Sequence, residues 1–207
     1  EYMVRKESYK MEYLQQLATC YLQNNEKEKL KELDKRITVL DKTNVESRLR
    51  LAQVADASND IESALTYYQE LSILTPKVPD IFRRLSELSR KKGNMREAVT
   101  HLRRYLDFVP DDAEAQKDLG NLLYDQKDFD GALEAYRSAM KINPAVKGFY
   151  KRYAEIVIAK GQHEEVITAF NRLIKDGEAD VNTYTTLGMI YQKKKSYTQA
   201  IQMYQKA

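Results

Sequence analysis

An all-α fold, a right-handed α-solenoid of about six antiparallel helical hairpins, is the architecture this sequence predicts, and three observations predict it. A pattern of small and large residues, Leu119 and Gly120, then Ala132, Tyr136 and Ala139, then Pro144, returns without insertion when the chain is shifted by 34 residues in either direction. Within each block, apolar residues recur at three- and four-residue spacing on both sides of a short break, the period of a helix face. The breaks and block ends carry turn formers: Asn59 with Asp60, Gly93 and Gly161 in the breaks, Pro76, Pro110 and Pro144 at the ends.

A ruler started at Met11 divides the chain into units at 11–44, 45–78, 79–112, 113–146, 147–180 and 181–207, the last of them incomplete. Residues 1–10, EYMVRKESYK, lack the apolar stretch and cleavage site of a secretory signal and read as the end of a preceding helix or a cut terminus. The first unit is degenerate. Lys27 and Asp34 stand where apolar or aromatic residues are usual, although Leu30, Leu33, Ile37 and Leu40 still give its second helix an apolar stripe. Ruler position 8, where the two helices of a hairpin must approach closely, is small throughout: Ala18, Ala52, Ser86, Gly120, Ala154 and Gly188. Position 7 is large, with Leu17, Leu51, Leu85, Leu119, Tyr153 and Leu187. Gly177 ends the fifth unit as a left-handed cap, and Asp111 and Asp112 suit the positive amino end of the helix that follows them. The sixth unit stops at Ala207 inside its second helix, which leaves the last hairpin uncovered and reads as a truncated end, with pairing of two such ends in a homodimer as the alternative.

The totals bound the class. No apolar run approaches the roughly eighteen residues of a membrane span. The 34 basic and 31 acidic residues are mixed along the chain, unlike the concentrated basic footprint of a dedicated nucleic-acid binder. A single cysteine excludes an intrachain disulfide, and Cys20, among Leu17, Ala18 and Tyr21, reads as a small core residue. His101 and His163 stand apart without ligand-spaced neighbours, the seven glycines form no phosphate loop, and carboxylate pairs such as Glu164 with Glu165 fall in first helical turns. Neither a catalytic constellation nor a metal or cofactor is indicated, and the chain reads as a non-enzyme. Of the fifteen tyrosines, Tyr68, Tyr136 and Tyr204 share position 24 and Tyr21 and Tyr191 share position 11, so they read as packing residues and not as base-stacking platforms.

These offsets resemble the tetratricopeptide repeat family, whose 34-residue signature places aromatic, Leu-Gly, Tyr, Ala and Pro residues at fixed positions. The resemblance spans nearly the whole chain; the large aromatic near the start of the first helix is present as Phe82, Tyr150 and Tyr184 but replaced by Leu14, Arg48 and Gln116 elsewhere. It implies a scaffold that holds a partner's peptide segment on a concave face lined by the first helices, at ruler positions 2, 5, 9 and 12. Those positions supply Leu49, Arg83, Arg90, Lys117, Asn121, Tyr124, Lys151, Ile158 and Met189. The expected ligand is a protein or peptide with apolar anchors beside acidic residues. A carboxylate clamp of the kind some family members use finds Lys117 and Asn121 in place, but Arg152, Asn182 and Thr186 stand at its other positions and argue against it. A self-assembling homo-oligomer, or a substrate-recruiting module of a larger enzyme or complex, is the alternative.

Overall fold

The computed structural model describes residues 2–207, with side chains from Lys10 onward. Among these residues the chain is all helical, with α1 at Tyr2–Gln23, α2 at Lys27–Leu40, α3 at Val45–Ala57, α4 at Ile61–Leu74, α5 at Pro79–Lys92 and α6 at Met95–Phe108. They form a first compact unit, Glu1–Val109. The second unit, Pro110–Ala207, holds α7 at Ala113–Asp125, α8 at Phe129–Ile142, α9 at Tyr150–Ala159, α10 at His163–Asp176, α11 at Val181–Lys193 and α12 at Tyr197–Lys206. Inside each unit every helix packs on the next one, so hairpins stack on hairpins.

The turn inside each hairpin repeats one backbone device. Asn25, Asn59, Gly93, Lys127, Gly161 and Lys195, all at ruler position 15, have positive φ between 58° and 88°. A left-handed residue there reverses the chain in two or three residues, and the next residue becomes the N-cap of the second helix. Asp60 and Asp128 fill that cap by accepting from the amides of Ser63 (3.1 Å) and Gly131 (3.0 Å). Glycine and asparagine adopt this conformation readily, and lysine, at Lys127 and Lys195, only at a cost. Lys127→Gly is therefore expected to stabilise the second unit by about 0.5–1 kcal/mol, read as a rise in its urea midpoint; a fall would mean that the lysine stem contributes packing.

First helices open with their own caps. Asn44, Asp112 and Asp180 accept from the amides of Ser47 (3.0 Å), Ala115 (2.9 Å) and Thr183 (2.8 Å), and Asp180 with Thr183 completes a capping box. Gly177 takes φ 75° at the end of α10, the left-handed cap its position predicts. Buried leucines and isoleucines fill the first unit, with Ile37, Leu71 and Leu85 fully enclosed. Aromatic rings carry the second: Tyr136 stacks on Phe149 at 4.9 Å and meets Tyr153 edge-on at 6.4 Å.

Three expectations about the core are corrected. Cys20 is exposed, because the packed face of α1 runs through Leu14 and Ala18 and residue 20 lies about 200° around the helix from Ala18. Leu40, the last residue of α2, is largely exposed, since the packed face ends one turn earlier at Ile37. Tyr204 lies against Gly188, yet the residue stays 41% exposed.

Burial of Tyr136 and Tyr153 pushes both phenols up to about 12 from an ordinary value of 10.0, desolvation being the main cause in each. Ionisation is harder in the folded chain, so the stability these groups contribute is intact below pH 10.0 and is lost as pH rises toward about 12. An alkaline titration should show two phenols ionising late and together with loss of helical circular dichroism. Ionisation of all tyrosines before any unfolding would contradict it.

Candidate functional site

The residues expected on the first-helix faces fall in both units. In the first unit Leu49 on α3 and Arg90 on α5 are exposed, and Arg83 on α5 lies with its guanidinium 5.6 Å from the Tyr105 ring and 3.7 Å from the Glu87 carboxylate. In the second unit Lys117, Asn121 and Tyr124 belong to α7, Lys151 and Ile158 to α9, and Met189 to α11. Ile158 and Met189 are 43% and 56% exposed. Lys151 reaches Asp180 at 3.3 Å with most of its side chain in solvent.

Three more of these side chains have internal partners. Lys117 is half-buried and donates to the carboxylate of Glu114 one turn earlier. Asn121 accepts through Oδ1 from the Tyr136 hydroxyl at 2.9 Å, which ties it to the hairpin core. Tyr124 donates its hydroxyl to Glu155, carries the Arg152 guanidinium 5.0 Å over its ring, and meets Phe129 edge-on at 5.6 Å. The acceptor carboxylate of Glu155 is the first reason its phenol lies above the ordinary value. Tyr124 is thus part of the stacking between α7 and α9, not a free anchor. The sequence left it looking free because its charged partners, Arg152 and Glu155, come from the next hairpin.

Sequence reasoning missed ruler position 6. Arg50, Arg84 and Arg152 occupy it, and each reaches back to the preceding hairpin. Arg50 forks onto Asp34 at 2.8 and 2.6 Å, Arg84 forks onto Asp56 and also bonds Glu87, and Arg152 lies 3.1 Å from Asp125 and over Tyr124. Bidentate guanidinium–carboxylate pairs hold geometry as well as charge, so Arg50 and Arg84 help set how consecutive hairpins sit within the first unit. Their common offset was a usable signal. A second recurring pair joins position 18 to position 14 of the next hairpin: Glu62 with Lys92 (2.7 Å), Asp130 with Lys160 (2.5 Å) and Glu164 with Lys194. These are solvent-exposed and contribute little each.

Among the described residues no group of three His, Cys, Asp or Glu side chains could hold a metal ion, and no helix is long and apolar enough to cross a membrane. His101 is half-buried, and desolvation lowers its pKa, which favours the neutral ring.

Residues 77–207 match the family described as the cytochrome c-type biogenesis protein H TPR domain, well over half of the chain. The chain belongs to that family of tetratricopeptide repeats. An Hsp70-Hsp90 organizing protein of Triticum aestivum is 24% identical to this tetratricopeptide repeat chain over 155 residues, 75% of this chain and 25% of that protein. The human protein O-mannosyl-transferase TMTC1 is 26% identical over 123 residues, 59% of this chain and 14% of that protein. The tetratricopeptide repeat chain thus spans about a quarter or less of the length of these curated relatives. Among solved structures, YrrB, described as a TPR protein with an unusual peptide-binding site, superposes with a TM-score of 0.63 at 17% identity, covering 76% of this chain and 81% of its own. That likeness concerns the fold.

Proposed function

We propose that this chain is a protein-interaction module, without catalysis of its own, that holds a peptide segment of a partner on its first-helix faces. The observation that carries the reading is the pair Ile158 and Met189. They are large apolar side chains left 43% and 56% exposed on the consecutive first helices α9 and α11, at ruler positions 12 and 9. An isolated exposed apolar residue needs no explanation, but two at face positions of neighbouring hairpins form an anchor pair. Lys151 supplies the charge beside them: its contact with Asp180 is an exposed pair worth at most about 1 kcal/mol, so a ligand carboxylate can exchange for it. Leu49, Arg83 and Arg90 offer a comparable apolar and cationic set on the first unit.

A photo-crosslinking side chain placed at Met189, with a second at Glu134 on the exposed side of α8, tests this in lysate. Capture of one partner at residue 189 and not at 134, with Ile158→Asp reducing that capture about tenfold, is the expected result. Equal capture from both positions would remove the first-helix face as the site. The similarity to a transferase supports a narrower version, recruitment of substrate for an enzymatic domain on the same chain or complex. A second reading, association of copies, draws on Tyr197, Ile201 and Tyr204, which leave one exposed apolar stripe along α12. Light scattering decides it: a strictly monomeric mass at high concentration removes it.

A further inference from the structure

Ruler position 4 on the first helix of a hairpin meets position 26 on the second, and in three hairpins the protein fills the space between them with its own side chains. Arg48 is buried and donates to Glu70 at 2.7 Å. Phe82 and Tyr150 are buried beside the guanidinium groups of Arg104 and Arg172, each 5.8 Å from the ring centroid. The hairpin of α7 and α8 has neither a ring nor a guanidinium at this address. Gln116 and Ser138 stand at the two positions, both half-buried, and a cleft of about 520 Å3 lies among them, Pro110, Asp111, Lys141 and Ile142.

The lining carries unspent polar groups. Among the described residues Asp111 and Lys141 form no ion pair, and the side chains of Gln116 and Ser138 form no hydrogen bond. The neighbouring carboxylates are engaged, since Asp112 caps α7 and Glu114 pairs with Lys117. Asp111 comes from the segment that leads into α7 and Lys141 from the last turn of α8, so one charge of each sign flanks the cleft. A cationic ligand meets Lys141 and an anionic one meets Asp111, which leaves a neutral group able both to donate and to accept. The fifth hairpin shows such a group in place. There Tyr150 is enclosed beside Arg172, which is itself bonded to Asp176 at 2.9 Å, so a tyrosine ring occupies the address next to one cation and one carboxylate.

We propose that the α7–α8 cleft is a docking site for a tyrosine side chain of a partner protein. The incoming ring lies against Pro110 and Ile142, in the place that position 4 fills with Phe82 and Tyr150 in the third and fifth hairpins. Its hydroxyl exchanges hydrogen bonds with Gln116, Ser138 and the charges beside them, the usual requirement when a tyrosine leaves water. The site lies off ruler positions 2, 5, 9 and 12, and it stands or falls independently of the first-helix faces argued above.

The test uses the full chain with labelled isoleucine methyl groups, titrated with N-acetyl-tyrosinamide and, as comparisons, the phenylalanine, alanine and arginine equivalents. A saturable shift centred on the Ile142 methyl is expected with the tyrosine probe, with a Kd on the order of 1 mM for so small a ligand. The phenylalanine probe should bind about fivefold more weakly, the loss of one neutral hydrogen bond. The alanine and arginine probes should not bind measurably. Lys141→Asp makes both flanking charges negative and should bring the arginine probe into the measurable range. Gln116→Tyr combined with Ser138→Arg supplies the ring and guanidinium of the fifth hairpin, and should abolish the tyrosine response while helical circular dichroism is retained. Should that filling variant unfold, the probe series and Lys141→Asp decide alone. An equal response to the alanine probe, a shift centred on Ile190, no saturation, or undiminished binding by the folded filling variant would each overturn the proposal. So would an arginine probe that binds the parent chain, or that binds Lys141→Asp no better.

Discussion

Gly120→Leu is expected to destabilise the second unit by about 3 kcal/mol, the upper part of the usual range for overpacking. A Cβ added at Gly120 would stand 2.5 Å from two carbons of the Tyr136 ring, closer than real Cβ contacts come. The ring cannot yield. Tyr136 is fully enclosed, stacked on Phe149, edge-on to Tyr153, and bonded through its hydroxyl to Asn121. Even Gly120→Ala should lose stability, although alanine gains roughly 1 kcal/mol of helix propensity over glycine. Gly188 is the internal control. Its added Cβ would also stand 2.5 Å from a tyrosine ring, that of Tyr204, but Tyr204 is 41% exposed and tethered by an exposed hydrogen bond from its hydroxyl to Gln192 at 3.1 Å, so its ring can swing outward at small cost. Gly188→Ala should therefore be near neutral or mildly stabilising, by less than about 1 kcal/mol. Urea unfolding of the two alanine variants side by side checks the argument, since it predicts opposite signs from the same starting distance. Equal losses at both positions would mean that ring mobility is not what decides the cost.

That contrast shows which parts of the molecule the sequence made legible. The alternation of small and large residues at ruler positions 7 and 8, the helix-stopping prolines and the cap at Gly177 are consequences of helix geometry inside one hairpin, and a 34-residue period exposes them. The partner of each glycine at position 8, the tyrosine sixteen residues later, was visible only as a recurring type: Tyr136 and Tyr204 share the offset, but nothing in the sequence says that one is enclosed and the other half open. Contacts between hairpins were less legible still. Tyr124 reads as a free aromatic at a face position until Arg152 and Glu155 arrive from α9 to occupy it. Ile158 and Met189 are left 43% and 56% exposed on α9 and α11.

The clearest failure of residue-type reasoning lies at Asp34, which the repeat pattern marks as a departure from an apolar position. Asp34 is 1% exposed and accepts two bonds from Arg50, at 2.8 and 2.6 Å, while Arg50 also bonds Glu46 at 2.6 Å and the Ser47 hydroxyl at 3.1 Å. The carboxylate of Asp34 is the first reason the guanidinium is held more firmly charged than usual. Asp34→Ala is expected to cost about 3 kcal/mol or more, because it strands a largely buried guanidinium between α2 and α3 with only the exposed Glu46 to answer it. Replacing both partners, Asp34→Leu with Arg50→Met, should recover most of that loss, since two apolar side chains of similar volume restore packing without a charge to desolvate. The measurement is amide hydrogen exchange along α2 and α3 beside the urea midpoint: local opening should accelerate in the single variant and return toward the parent rate in the double. If the double variant is as damaged as the single, the ion pair does more than compensate for its own desolvation. It would then be a register device, fixing how α3 seats on α2 in a way that apolar packing cannot reproduce.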